Sequence, residues 1–376
     1  MVNKKKVVVF SAAFGAGHIR AAEAIIEEIS RQEPKLEVIH MDCGLFFNAY
    51  LYNLLKITYI SLIKYAPKVW GKFYYDSADI LPDSRFQSFI NNLGRDKILA
   101  YMKASNPNLV ICTYPTVSGA IAQLKKEGLT DVPLATVITD YAVHSQWVHE
   151  GVDLYIVGSK DVQQNLVTRG IDSKRIRVTG IPVHANFELS ENRQEMLAKL
   201  GLASGIPTFL IMSGAFGILK DIKEICEFFA NMETPVQTIV VCGKDKNLYR
   251  SISEIVSKAK NTMVHFGYVN NVEELMSASD IIITKAGGLT VSESLSKHLP
   301  LIIYKPIPGQ EEKNSVFLLK NGCAFIANSP QEIQKITYTI LNHPQELDKM
   351  HAATEQTLPG HAAERAVSQM LELVSR

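Results

Sequence analysis

The sequence predicts an α/β protein built on two doubly wound parallel sheets, and three observations carry that prediction. Short β-branched runs alternate with longer helical stretches, the alternation restarts past residue 200, and each half sends its first strand into a glycine-rich turn. Strands separated by helix-length segments need crossover connections, and such connections give parallel sheets with helices on both faces. A length of 376 residues holds two or three domains, each able to bury its own core.

In chain order, the first half reads as strands at Val7–Phe10, Leu36–Met41, Leu109–Cys112, Leu134–Ile138, Leu154–Val157 and Ile176–Val178. A polar, helix-prone stretch (Glu188–Leu200) and a turn at Ser204–Pro207 follow. The pattern then restarts with Thr208–Met212, Gln237–Cys242, Met263–Phe266, Asp280–Thr284 and Leu301–Tyr304. The join falls between Pro182 and Pro207, so the expected domains are 1–185 and 200–358. The tail spaces Ala366, Met370, Leu371 and Val374 on one helical face. Residues 360–376 are therefore expected to form a packed helix, assigned to the first domain.

Composition narrows the function classes. Lys+Arg 39 against Asp+Glu 38 leaves a net charge of +1, so no global field draws the protein to nucleic acid, and attraction to a membrane has to be local. The five cysteines (Cys43, Cys112, Cys226, Cys242, Cys323) are odd in number, far apart and never form CxxC, which argues for a reducing compartment and against a disulfide framework or zinc site. The opening MVNKKKVVVF has too short an apolar run for a signal peptide, and no run of 18 apolar residues predicts a spanning helix.

The glycine turns carry the chemistry. The first strand empties into Ser11-Ala-Ala-Phe-Gly15-Ala-Gly17-His18, ahead of a helix with Ile19, Ala22, Ile25, Ile26 and Ile29 on its apolar face. Glycines there let backbone N–H groups approach a ligand. A dinucleotide fingerprint would want a third glycine where Arg20 stands, so the turn is weak evidence for NAD. His18 is placed at the carboxyl edge of the sheet, where open α/β folds bind ligands, with a pKa expected near that of a general base.

The second half repeats the device at Ser213-Gly214-Ala-Phe-Gly217 and at Thr284-Lys-Ala-Gly287-Gly288-Leu-Thr-Val-Ser-Glu293. Gly287 and Gly288 bare N–H groups at a helix start, suited to a phosphate, and Glu293 one turn on suits ribose hydroxyls. It also reads as an ordinary first-turn carboxylate. The polar loop Lys305–Asn314 is suited to sugar hydroxyls. No GxxxxGK[ST] and no Asp-x-Asp occur, which disfavours ATP hydrolysis and weakens a metal-clamped nucleotide-sugar site.

These motifs in order resemble bacterial processive diacylglycerol β-glucosyltransferases and plant monogalactosyldiacylglycerol synthases of glycosyltransferase family 28. The resemblance rests on Phe-Gly-Ala-Gly-His at 14–18, Asp140-Tyr-Ala-Val-His144-Ser-Gln-Trp147-Val-His149, Gly180-Ile-Pro182-Val, Gly-Gly-Leu-Thr-Val-Ser-Glu at 287–293 and Pro-Gly-Gln-Glu at 308–311. It covers nearly the whole chain, and more distantly the layout resembles the transferase that adds N-acetylglucosamine to the lipid-linked peptidoglycan precursor.

It implies a GT-B fold, two Rossmann-like doubly wound domains facing across a cleft, and an inverting transfer of glucose, or less readily galactose, from a UDP-sugar to the 3-hydroxyl of 1,2-diacylglycerol. By this resemblance His18 is the base. Ser213 and Gly214 with Gly287, Gly288 and Leu289 cradle the diphosphate without a metal. Tyr268 and Val269 flank uracil, Glu293 meets the ribose, and Gln310 and Glu311 meet the sugar. Gly15, Gly17, Asp140 and His144 lie on the acceptor side, and which residue orients His18 stays open. No cofactor is implied.

Residues 45–75 stand apart, with ten of the chain's 31 aromatic residues, Lys56, Lys64, Lys68 and Lys72, and no Asp or Glu. They read either as a core helix pair with snorkelling lysines or as an interfacial element whose lysines meet anionic lipid. The resemblance favours the second reading, with Trp70 among the docking residues and the protein peripheral at the cytoplasmic face of the membrane. Two alternatives stay open: a UDP-sugar transferase acting on a polyprenyl-linked or other acceptor, and a non-catalytic or NAD-using nucleotide-binding protein of Rossmann type.

Overall fold

The computed structural model describes residues 4–13, 15–47, 49–78, 80, 84–212 and 221–375. Two compact units emerge: residues 1–185 with 308–310 and 359–376, and residues 186–307 with 311–358.

The first unit carries strands β1 (Lys6–Ser11), β2 (Glu37–Asp42), β3 (Leu109–Cys112), β4 (Leu134–Val137), β5 (Leu154–Val157) and β6 (Ile176–Val178), in the sheet order β2-β1-β3-β4-β5-β6. Every pairing is parallel. Successive side chains of a strand point to opposite faces, which is why β1 feeds two cores. Val8 and Phe10 pack with Val110, Ile121 and Tyr155, whereas Val7 and Val9 pack with Ile25, Ile29 and Leu109. The second face is closed by Ala366, Val367 and Met370 of the helix Ala362–Ser375. At the turn before that contact, Gly180 has φ +93, and a Cβ there would stand 2.9 Å from that of Ala362.

The second unit carries β7 (Thr208–Met212), β8 (Gln237–Val241), β9 (Thr262–Phe266), β10 (Ile281–Thr284), β11 (Leu301–Tyr304) and β12 (Ala324–Ala327), in the order β12-β11-β10-β7-β8-β9, again all parallel. Its core joins Phe209 and Ile211 to Phe229, Ile252 and Ile283. The sequence places Asp280 in a strand. Instead its carboxylate accepts from the Thr208 N–H and, through both oxygens, from Arg193 at 2.8 Å, tying the helix Arg193–Lys199 to the sheet.

Two departures from the sequence reading stand out. The strand β12 is absent from it, because Ala324-Phe-Ile-Ala327 is short, alanine-rich and at a sheet edge, with little β-branched signal. Pro308–Gln310, read as part of the second domain, groups with the first unit.

Candidate active site

Both sheets reverse strand order at one point, between β1 and β3 in the first unit and between β7 and β10 in the second. The carboxyl ends of strands at such a reversal open into a crevice where α/β folds bind ligands. The glycine turns at residues 15–17 and 287–288 follow β1 and β10, two of these strands.

In the first unit, Gly15 caps the helix Ala16–Gln32 with extended backbone, and a Cβ there would meet nothing within 4 Å. Gly17 and His18 lie in the first turn of that helix. His18 Nδ1 is 2.7 Å from the carbonyl oxygen of Thr113, at the end of β3, and 3.0 Å from Thr139 Oγ1, just past β4. A carbonyl only accepts, so Nδ1 carries the proton and Nε2 holds the lone pair. The Thr113 hydroxyl donates in turn to the His18 carbonyl at 2.8 Å. The ring lies edge-on to Tyr114 at 5.2 Å and 6.3 Å from Trp147.

Burial lowers the His18 pKa to about 4, against a smaller opposing effect of the Thr113 bond. This corrects the expectation of a value near neutrality: the site removes water from the ring and supplies no anion bonded to Nδ1 in exchange. His18 is accordingly neutral over the physiological range.

His18 opens on a cavity of about 440 Å³ walled by aromatic rings, among them Tyr52, Tyr59, Trp70, Phe73, Tyr74 and Trp147. This is within the size range of small-molecule sites. Asp140 lines the same cavity, as does His144, whose Nδ1 accepts from the Gln146 N–H and whose Nε2 is 3.2 Å from Ser77 Oγ. Trp147 is buried as well as lining, and His149 is a buried residue whose Nε2 donates to the Gln146 carbonyl. Gln310 joins the cavity wall, its amide 3.4 Å from the Tyr59 hydroxyl.

The segment 45–75 forms the helices Ala49–Tyr65 and Pro67–Ala78. On the first, Tyr50, Leu54 and Ile57 are 89%, 61% and 64% exposed, whereas Tyr52 and Tyr59 face the cavity. The former trio and the latter pair follow the helical repeat on different faces. Tyr65, Val69, Phe73 and Tyr75 are also exposed, as are Lys64, Lys68 and Lys72, and Lys56 is half-buried. Together these side chains give the two helices an exposed apolar and basic surface. Trp70 is the exception in the docking set: it packs edge-on to Tyr59 at 5.0 Å and lines the cavity.

In the second unit, Ser213 and Gly214 lie outside the described residues. Gly287 caps the helix Gly288–Ser296, and a Cβ on it would project into open space; Gly288 and Leu289, the first two helical residues, are buried, and their N–H groups have no acceptor within the helix. Glu293 is half-exposed one turn on. Glu311 accepts from the Ile307 N–H at 2.8 Å, and burial raises its pKa. Tyr268 is 56% exposed beside half-buried Val269, with Lys244 Nζ 5.0 Å above its ring.

Several groups escaped the sequence reading. Lys285 donates to the Lys305 carbonyl, and Asn314 donates to the Ala286 carbonyl at 2.9 Å, fastening the polar loop to the glycine turn. Tyr304 and Lys305 converge on Asp221 Oδ2 at 2.7 and 2.6 Å. Thr113 and Thr139 were missed in the first unit. The only signal for them is position, just past the ends of β3 and β4.

Comparison with known proteins gives the family. Residues 18–183 match the monogalactosyldiacylglycerol (MGDG) synthase family, and residues 213–368 match the glycosyltransferase family 28 C-terminal domain. The processive diacylglycerol β-glucosyltransferase of Bacillus cereus (strain ATCC 10987 / NRS 248) is 31% identical over 373 residues, 99% of this chain and 94% of the relative. The chain belongs to the diacylglycerol β-glucosyltransferase family. The relative of the same name from Bacillus mycoides (strain KBAB4) is 32% identical over 355 residues, 94% of this chain and 90% of its own. This family member is thus a hexosyltransferase of glycosyltransferase family 28, which disposes of the non-enzyme alternative.

Its fold is that of the GT-B transferases. Acinetobacter baumannii MurG superposes with a TM-score of 0.67 at 16% identity, covering 98% of this chain and 99% of that one. The S. aureus MnaA–UDP co-structure superposes at 0.62 and 14%, covering 99% and 98%.

Proposed function

We propose that the enzyme transfers glucose from UDP-glucose to the 3-hydroxyl of 1,2-diacylglycerol, with inversion, while docked peripherally on the cytoplasmic face of a membrane. The observation that carries this reading is His18, its Nδ1 spent on Thr113 and its Nε2 lone pair available, beside an aromatic cavity formed by helices that expose apolar and lysine side chains. A lipid alcohol needs both an apolar berth and a base. Nε2 takes the hydroxyl proton as the oxygen attacks the anomeric carbon, the bond to UDP breaks, and the diphosphate leaves with the electron pair.

The leaving charge falls to the N–H groups of Gly287, Gly288 and Leu289, with Ser213 and Gly214, aided by the helix dipole and with no metal invoked. Tyr268 and Val269 flank the uracil, Glu293 holds the ribose, and Gln310 and Glu311 hold the sugar. On the acceptor side, Gly15 and Gly17 keep the turn open and Asp140 and His144 line the path. Docking on anionic lipid falls to the helix pair Ala49–Tyr65 and Pro67–Ala78, the hairpin; among the described residues no helix is long and apolar enough to cross a membrane. Glucose and repeated transfer are favoured by the name of the Bacillus relatives.

Radiolabelled UDP-glucose and UDP-galactose offered with diacylglycerol vesicles test this directly. Labelled glucolipids, one or more sugars long and formed undiminished in EDTA, are the expected products; label that stays out of the lipid fraction overturns the reading. Glu293→Ala is expected to weaken UDP binding roughly tenfold, the scale of one charge-assisted hydrogen bond. Unchanged affinity by calorimetry removes the ribose contact.

A further inference from the structure

We infer that Thr139 is the positioning residue for His18, its hydroxyl oxygen sharing the Nδ1 proton with the Thr113 carbonyl so that Nε2 is presented to the acceptor. The inference deepens the general-base reading above and rests on it. Its basis is geometric. The Thr113 carbonyl oxygen lies 2.7 Å from Nδ1 and Thr139 Oγ1 lies 3.0 Å from the same atom. Because the carbonyl can only accept, Nδ1 is the donor, and the threonine hydroxyl must also receive.

Both oxygens are fixed. Thr113, the residue after β3, is fully buried, Thr139, two residues past β4, is 4% exposed, and the Thr113 hydroxyl also grips the His18 carbonyl. Thr113 acts through its backbone, which a substitution cannot remove, so the tunable half of the pair is Thr139. The pair is uncharged. When Nε2 takes the proton, the imidazolium is met at Nδ1 by two oxygen dipoles and no carboxylate, so the ring holds that proton weakly and passes it on easily. Asp140 and His144, the titratable groups on the following loop, line the cavity with it, and Tyr114 packs on the ring.

Thr139→Val removes the oxygen at nearly constant shape. With the imidazole of His18 labelled in ¹⁵N, the wild-type enzyme is expected to show a slowly exchanging Nδ1–H, and the Val variant faster exchange of that proton. Its kcat should fall about tenfold with KM for the UDP-sugar unchanged, the cost of a modest misplacement of a catalytic group. Thr139→Ser should restore both. A Val variant with wild-type exchange and kcat overturns the assignment, as does a Ser variant that restores neither. Should His18→Asn turn over like wild type, the base reading fails instead, and the exchange measurement still reports whether Thr139 holds the ring.

Discussion

His18→Ala is expected to cut glucosyl transfer by about 10²–10⁴-fold, the usual contribution of a positioned general base, while UDP affinity stays near wild type. Apart from Gln310, the residues proposed above to hold the donor belong to the second unit, and His18 is not among them. Ala also strips the Thr113 carbonyl of its donor, which costs about 1–3 kcal/mol if the carbonyl stays buried and unpaired. His18→Asn separates the two effects: its amide nitrogen takes the place of Nδ1 and keeps the bond to Thr113, but nothing replaces the Nε2 lone pair. Loss of transfer in both variants, with the Asn variant melting close to wild type, assigns the defect to chemistry. Turnover surviving in the Asn variant would refute the assignment.

The same ring predicts a pH profile. With His18 as the proposed base, its protonation stops transfer, so kcat/KM falls as pH falls through the pKa, which burial has moved from 6.5 to about 4. So far as His18 is concerned, kcat/KM stays level from neutrality down to about pH 5 and the acid limb sets in near 4. An unperturbed histidine would show it near pH 6.5.

How much of this was legible in the sequence follows from the range of each interaction. Strands such as Leu109–Cys112, Leu154–Val157 and Leu301–Tyr304 announce themselves as short apolar runs between helices, and their bounds coincide with the structure. The glycine turns are equally local, and a reversal of strand order turns them into ligand edges. What holds His18 is not local. Thr113 and Thr139 stand 95 and 121 residues away, carry no motif, and acquire meaning only when β1, β3 and β4 lie side by side. Asp140 and His144 come forward as candidates because they stand in a motif that carries the family resemblance, whereas a backbone carbonyl is invisible in a sequence.

The hairpin predicts the other large effect. Changing Lys64, Lys68 and Lys72 together to Glu should abolish sedimentation with vesicles rich in phosphatidylglycerol. Each lysine near an anionic surface contributes about 1 kcal/mol, so losing three attractions weakens binding by about two orders of magnitude even before the new repulsions are felt. All three are exposed, so the substitutions reach no core and the fold should be unaffected. The apolar half of the contact is tested separately. Leu54→Ser with Ile57→Ser removes two side chains that are 61% and 64% exposed, and should weaken binding to neutral vesicles as well, since that contribution does not depend on lipid charge. Salt divides the two: raising ionic strength should lower wild-type binding toward that of the charge-reversed protein while leaving the Leu54/Ile57 deficit in place. Vesicle binding unchanged by either set would return the hairpin to a packing role and leave lipid access to the His18 cavity to another surface.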